Sequence, residues 1–171
     1  APAPDQLRQL LAEHRIPVRE VASGDRLTVG PGVQVEVMHP PPEGVVGSDN
    51  ANSITLAIEF AGCRLLLPGD LEASGLETVI ATPPYDCNLL LAPHHGSRYS
   101  DPARFAAWCT PEWVVISGGS HRGTEPTVAI YEQSGAEVFQ TDQEGAIEVV
   151  VEPDGAIQVS CWHGVKSHMG G

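Results

Sequence analysis

Two stretches decide how this chain is read: Leu65-Leu66-Leu67-Pro68-Gly69-Asp70 and, one segment later, Pro93-His94-His95-Gly96-Ser97. Both follow the same pattern. A short apolar run comes first, proline and glycine stop it, and polar side chains able to bind a metal stand just beyond. Consecutive leucines suit a buried strand, and Pro68 removes a ladder donor and ends it. Asn88 to Ala92 reads as a second short strand, apolar throughout and therefore buried on both faces. A polar side chain at a strand end lies at the edge of the sheet, where ligands and metals commonly bind.

Asp70 alone has two readings, a metal-binding carboxylate or the cap of a helix starting at Leu71. The histidine pair shifts the balance. Two adjacent histidines in a loop cannot both be buried pointing the same way. At least one must face a polar partner, and a divalent metal bound through neutral imidazole is a natural one. An incidental pair is the competing reading. His39, ending Val37-Met38-His39 before a proline loop, is a third candidate, although an isolated histidine is usually no ligand. His39, Asp70 and His95 are 31 and 25 residues apart, as three successive strand ends converging on one sheet edge would be.

Working outward, Asp5 to His14 places Leu7, Leu10 and Leu11 at helical spacing, and Val18 to Val21 reads as a strand. Leu27 to Val29 and Val33 to Met38 form a hairpin around Pro31-Gly32. Ser53 to Phe60 and Arg64 to Leu67 form another. Helices are expected over Leu71 to Ala81, from Asp101-Pro102 through Trp108, and from Glu125-Pro126 to Gly135, the second with aspartate at the cap and proline in the first turn. Strands follow at Trp113 to Ser117, Glu137 to Gln140, Ala146 to Val151 and Ala156 to Cys161, with a turn at Asp142-Gln143-Glu144-Gly145. Hairpins first and strand–helix units later suit a layered α/β (α+β) domain with mixed sheets and flanking helices. It is expected to occupy residues 1–162. Residues 163–171 read as an unstructured tail, and Ser167-His168-Met169 resembles a cloning remnant.

At 171 residues one domain is the default. No apolar run approaches the roughly 20 residues that cross a bilayer, and no basic-then-apolar leader opens the chain, so no lipid contact is expected of it. The net charge of -13 runs against a nucleic-acid binder that relies on phosphate neutralisation alone. Cys63, Cys87, Cys109 and Cys161 contain no CxxC pair, which removes zinc-knuckle and thioredoxin-type readings. Buried thiols are the simplest expectation, with a disulfide left open outside the cytoplasm.

Asp70 after a hairpin ending in Leu-Leu-Pro-Gly-Asp, Asn52-Ser53 opening that hairpin, and Pro93-His94-His95-Gly96-Ser97 together resemble the metallo-β-lactamase superfamily. More narrowly, they resemble the hydrolase domain of ComEC-type DNA-internalisation (competence) proteins. Val115-Ile116-Ser117-Gly118-Gly119 and the run Gln140-Thr141-Asp142-Gln143-Glu144-Gly145 fit the same pattern, so the likeness spans about residues 15–150. It implies the C-terminal part of an αββα sandwich with a two-metal site, zinc or manganese. In that site Asp70 would bridge both metals, His95 would bind the second, His39 the first, and His94 would contact the scissile phosphate. Such a pair supplies hydroxide near neutral pH and clamps both oxygens of a phosphodiester. The resemblance further implies DNA as partner through a longer parent in the bacterial cell membrane, with this domain extracytoplasmic.

Two departures qualify that implication. The superfamily's leading His-x-His/Asp-x-Asp-His motif does not occur in this sequence, and Thr124-Glu125-Pro126 stands where relatives often carry Gly-His-Pro. Glu125 is either a substitute polar group or an ordinary first-turn glutamate favoured by the helix dipole. With most ligands missing, the chain by itself is expected to be inactive or weakly metal-binding. A non-catalytic interaction module, or a hydrolase of lactones or thioesters, are the competing functions. Arg98 and Arg122 would supply local positive charge beside the site, or are plain surface residues, as is Arg104. Loss of the covering first sheet is expected to leave an apolar face that a second copy covers.

Overall fold

The computed structural model describes residues 4–118, 124–162 and 168–169. Helix α1 (Pro4–Glu13) forms where the leucine spacing predicts it. Strands β1 (Arg26–Gly30), β2 (Val33–His39), β3 (Thr55–Phe60) and β4 (Cys63–Leu67) then make an antiparallel meander. After β4 the pairing changes. Strand β5 (Leu89–Leu91), β6 (Trp113–Ile116) and β7 (Glu137–Gln140) add in parallel, giving a seven-stranded sheet in chain order. Parallel neighbours need crossovers, and these are α2 (Ala73–Ile80), α3 (Pro102–Cys109) and α4 (Glu125–Gln133). Asp101 caps α3 as its sequence position predicts, accepting a bond from the Arg104 N–H. Glu125 sits in the first turn of α4 and is exposed.

The register sorts the side chains into two cores. Leu66, Leu90, Val114 and Ile116 face the helices and pack with Leu76 and Val79 of α2, Phe105 and Trp108 of α3 and Tyr131 of α4. On the opposite face Cys63, Leu89, Trp113 and Phe139 meet Ile157, Val159 and Cys161. These come from a second, antiparallel sheet of β8 (Ile147–Val151), β9 (Ile157–Cys161) and β10 (His168–Met169). The layers are therefore helices, a mixed seven-stranded sheet and a smaller sheet. This is the mixed α/β architecture expected.

Three local expectations are corrected. Val18 to Val21 forms no strand: Val18 is 58% exposed, and the backbone just beyond is committed elsewhere, Ser23 N–H to Pro40 O and Gly24 N–H to Val37 O. The turn at 142–145 begins as a short helix, α5 (Thr141–Glu144). The tail expected over 163–171 lies outside the described residues except for His168–Met169, which pair with β9 instead of remaining unstructured. The apolar face expected to be bare is covered over β4–β7 by the second sheet. On the same face Val37 is buried and Leu56 and Ile58 are half-buried.

Candidate functional site

Strand direction explains why distant residues meet. β4, β5 and β6 run parallel, and β2, antiparallel to β3, runs the same way as β4. Their C-terminal ends therefore share one sheet edge, the edge where open α/β sheets bind ligands. His39 ends β2, Asp70 follows β4, His94 and His95 follow β5, and Ser117 follows β6. The loops are tied together: His94 N–H donates to Gly69 O at 2.9 Å.

His94 and His95 stand in the left-handed region, at φ 48° and 57°, with Gly96 after them at φ 74°. Left-handed backbone costs a non-glycine residue of order 1–3 kcal/mol, and such strain concentrates at functional sites. Gly96 is needed for space as well, because a Cβ there would lie 2.9 Å from Ile116. The two imidazoles diverge, ring centroids 6.5 Å apart. His95 Nδ1–H donates to Ser117 O at 2.7 Å, leaving Nε2 facing Asp70 Oδ1 at 3.5 Å. His94 Nδ1–H donates to Glu72 Oε2 at 2.9 Å.

His39 is 0% exposed. Its Nε2–H donates to Ala51 O at 2.8 Å, and its buried Nδ1 has no partner. Ala51 belongs to a single 3-10 turn, Asn50–Asn52, against which α2 packs at Gly75. A neutral imidazole has one donor and one acceptor nitrogen. Each of the three histidines thus spends one ring N–H on a protein acceptor, which fixes the ring's orientation, as second partners of oriented metal ligands do.

Asp70 does not cap a helix. Glu72 occupies the N-cap position of α2, without a side-chain cap bond. Its carboxylate turns to His94 and also accepts from Asn50 Nδ2 at 3.2 Å and Ser48 Oγ at 3.5 Å. Glu72 is the site residue that sequence reasoning missed. The available signal was a second carboxylate two positions after Asp70, at the same strand end.

Among the described residues, no three histidine, cysteine, aspartate or glutamate side chains form one metal-binding group. Asp70 pairs with His95, Glu72 with His94, and His39 stands apart on β2. Arg104 forms two bonds to Glu77 of α2 and one to Asp101, and so is not beside the histidines. Arg98 lies over the Tyr99 ring at 5.1 Å and donates to its hydroxyl. Arg122 lies outside the described residues. No helix of the described residues is long and apolar enough to cross a membrane.

The fold and its strand-end edge define a mixed α/β domain with a histidine–carboxylate site. Comparison finds it similar to competence proteins. The chain is 28% identical over 152 residues to ComE operon protein 3 of Bacillus subtilis (strain 168), covering 86% of the chain and 19% of that relative. It is 31% identical over 125 residues to competence protein ComA of Neisseria gonorrhoeae, covering 68% of the chain and 18% of that relative. No family model matches. The chain thus spans less than a fifth of each relative's length.

Proposed function

We propose that this chain is part of a metal-dependent phosphodiesterase domain of a DNA-uptake protein, of metallo-β-lactamase type, carrying one side of the metal centre. The observation that carries this reading is the common state of His39, His94 and His95. Each has one ring N–H fixed by a carbonyl or carboxylate at one sheet edge, where His95 faces Asp70 and His39 stands apart on β2. For His95 the consequence is direct. Its Nε2 stands 3.5 Å from Asp70 Oδ1, so one cation would meet both side chains.

These residues fit one side of a metal site. Asp70 and His95 would hold one ion, His39, which stands apart on β2, would belong to the other, and His94 would contact the scissile phosphate. A bound divalent ion would supply Lewis acidity and an activated water. The chain's own contribution is orientation. Ser117 O and Ala51 O select the tautomers of His95 and His39, Glu72 aims His94, and the left-handed backbone turns both loop histidines out of the core. Two converging donors fall short of the three or four of a tight site, so this chain alone binds metal weakly and does not cleave DNA.

Calorimetric titration with Zn²⁺ or Mn²⁺ tests the reading. Weak binding that disappears in Asp70→Ala is expected; two tight sites in the unaltered chain would refute incompleteness. A longer piece of the parent, containing whatever ligands complete the centre, should cleave single-stranded DNA with Mn²⁺. Failure of the metal-loaded whole domain to cut any DNA would sink the nuclease assignment. A second reading, a non-catalytic interaction module, is favoured by the lack of a three-donor group among the described residues. It requires that Asp70→Ala leave metal affinity unchanged.

A further inference from the structure

We propose that Cys87 and Cys109 form a disulfide when this chain folds in an oxidising environment, and that no other pair of its cysteines does. Four cysteines allow three complete pairings. The seven-stranded sheet divides them: Cys87 and Cys109 lie in the core under the helices, Cys63 and Cys161 in the core between the sheets. A disulfide needs Cα atoms about 4.4–6.8 Å apart with side chains facing, which side chains on opposite faces of a sheet cannot satisfy.

Within the inter-sheet pair the geometry also fails. The Cys63 thiol donates to Gly155 O at 3.1 Å, in the turn before β9. Cys161 is the last residue of β9, and its thiol donates to Glu144 Oε2 at 2.9 Å. Five extended residues separate the two ends of β9 by about 13 Å, at roughly 3.3 Å per residue. That is about twice the reach of a disulfide.

The helix-side pair is already in place. Cys87 N–H donates to Cys109 O at 2.9 Å, and Tyr85 N–H to Trp108 O at 3.1 Å, so the segment entering β5 runs beside the C-terminal end of α3. The two side chains share one pocket of the core, 4% and 0% exposed. The neighbouring Cys87 sulfur, followed by burial, pushes the Cys109 thiol well above its ordinary range, so in the folded chain Cys109 is slow to exchange. The bond is therefore made during folding, while the thiols are accessible.

The chemistry balances with a disulfide donor such as oxidised glutathione. One cysteine thiolate attacks a donor sulfur, forming a mixed disulfide and expelling a thiolate. The second cysteine thiolate attacks the mixed disulfide and expels the other. The chain loses two hydrogens and two electrons go to the donor, which becomes two thiols. The linkage joins α3 to the start of β5 and is independent of the metal reading.

The test is refolding of the reduced chain in a glutathione redox buffer, acid quenching, thiol counting in denaturant and peptide mapping without reductant. The expected result is a fall from four thiols to two, with the peptides containing Cys87 and Cys109 linked. The double variant Cys63→Ala/Cys161→Ala should form the same linkage, and Cys109→Ser should form none. Four thiols persisting in chain refolded to its native circular dichroism, or a dominant link involving Cys63 or Cys161, overturns the proposal. Should Cys109→Ser fail to fold, the map of the unaltered chain still decides.

Discussion

Replacing Gly75 with alanine sets two opposing effects against each other. Gly75 lies within α2, where alanine is favoured over glycine by about 1 kcal/mol on helix propensity alone. Yet a Cβ at this position would stand 2.1 Å from Ala51 O and 2.8 Å from Ala51 C. Both are backbone atoms, and the Ala51 carbonyl also receives the His39 Nε2–H. Neither can rotate away, so α2 and the 50–52 turn must separate by about 1 Å in a close-packed region. Overpacking of this kind costs about 1–3 kcal/mol, and loosening the buried His39 bond adds about 1 kcal/mol. The net expectation is destabilisation by about 2 kcal/mol, a fall in Tm of about 4–8 °C for a chain of this size. Urea and thermal unfolding by circular dichroism read it directly. Gly75→Ala with an unchanged or raised Tm would refute the close approach of α2 to the Ala51 carbonyl. The orientation assigned to His39 would lose its support with it.

Alkaline titration at the tyrosine absorbance should be spread widely across the three tyrosines. Tyr99, bonded to Arg98, ionises below the ordinary range. Tyr85 is held up at about 12, chiefly by burial, and Tyr131 lies higher still for the same reason. Because the folded-state values of Tyr85 and Tyr131 are raised, their contribution to stability is whole below about pH 10, the unperturbed value. It is lost as pH rises beyond that, so unfolding should accompany the later steps while Tyr99→Phe removes only the first. Glu77 shows the opposite sign: its bond to Arg104 lowers it, so its contribution is present above the ordinary carboxylate range and lost as acid titrates it. In Arg104→Ala the NMR-detected titration of Glu77 should move up, and no movement would disprove the pairing. Leu66→Ala, deleting a completely buried side chain between β3 and β5, should cost about 2–5 kcal/mol in urea unfolding.

Much of the fold follows from local signals. Apolar runs ended by Pro68 and by Pro93 are β4 and β5, the Pro31-Gly32 turn closes β1 onto β2, and Asp101-Pro102 starts α3. In each case the determining interaction lies within a few residues, and composition records it. Val18 to Val21 has strand-like composition too, but it pairs with no described strand, and the backbone just beyond it bonds to Pro40 and Val37 instead.

The site divides along the same line. His39, Asp70, His94 and His95 are recognisable as strand-end residues from the sequence by itself, because a breaker after an apolar run marks where a strand must stop. Only the tertiary structure decided what each one faces. The parallel step from β4 to β5 brings Asp70 to His95, the docking of α2 brings Glu72 to His94, and the sheet places Cys87 against Cys109 while holding Cys63 and Cys161 apart. Those contacts join residues 22 to 25 positions apart in the chain, at distances that no local pattern encodes. They arise from burial of the leucine, valine and aromatic faces on both sides of one sheet, which fixes the strand ends that carry these residues.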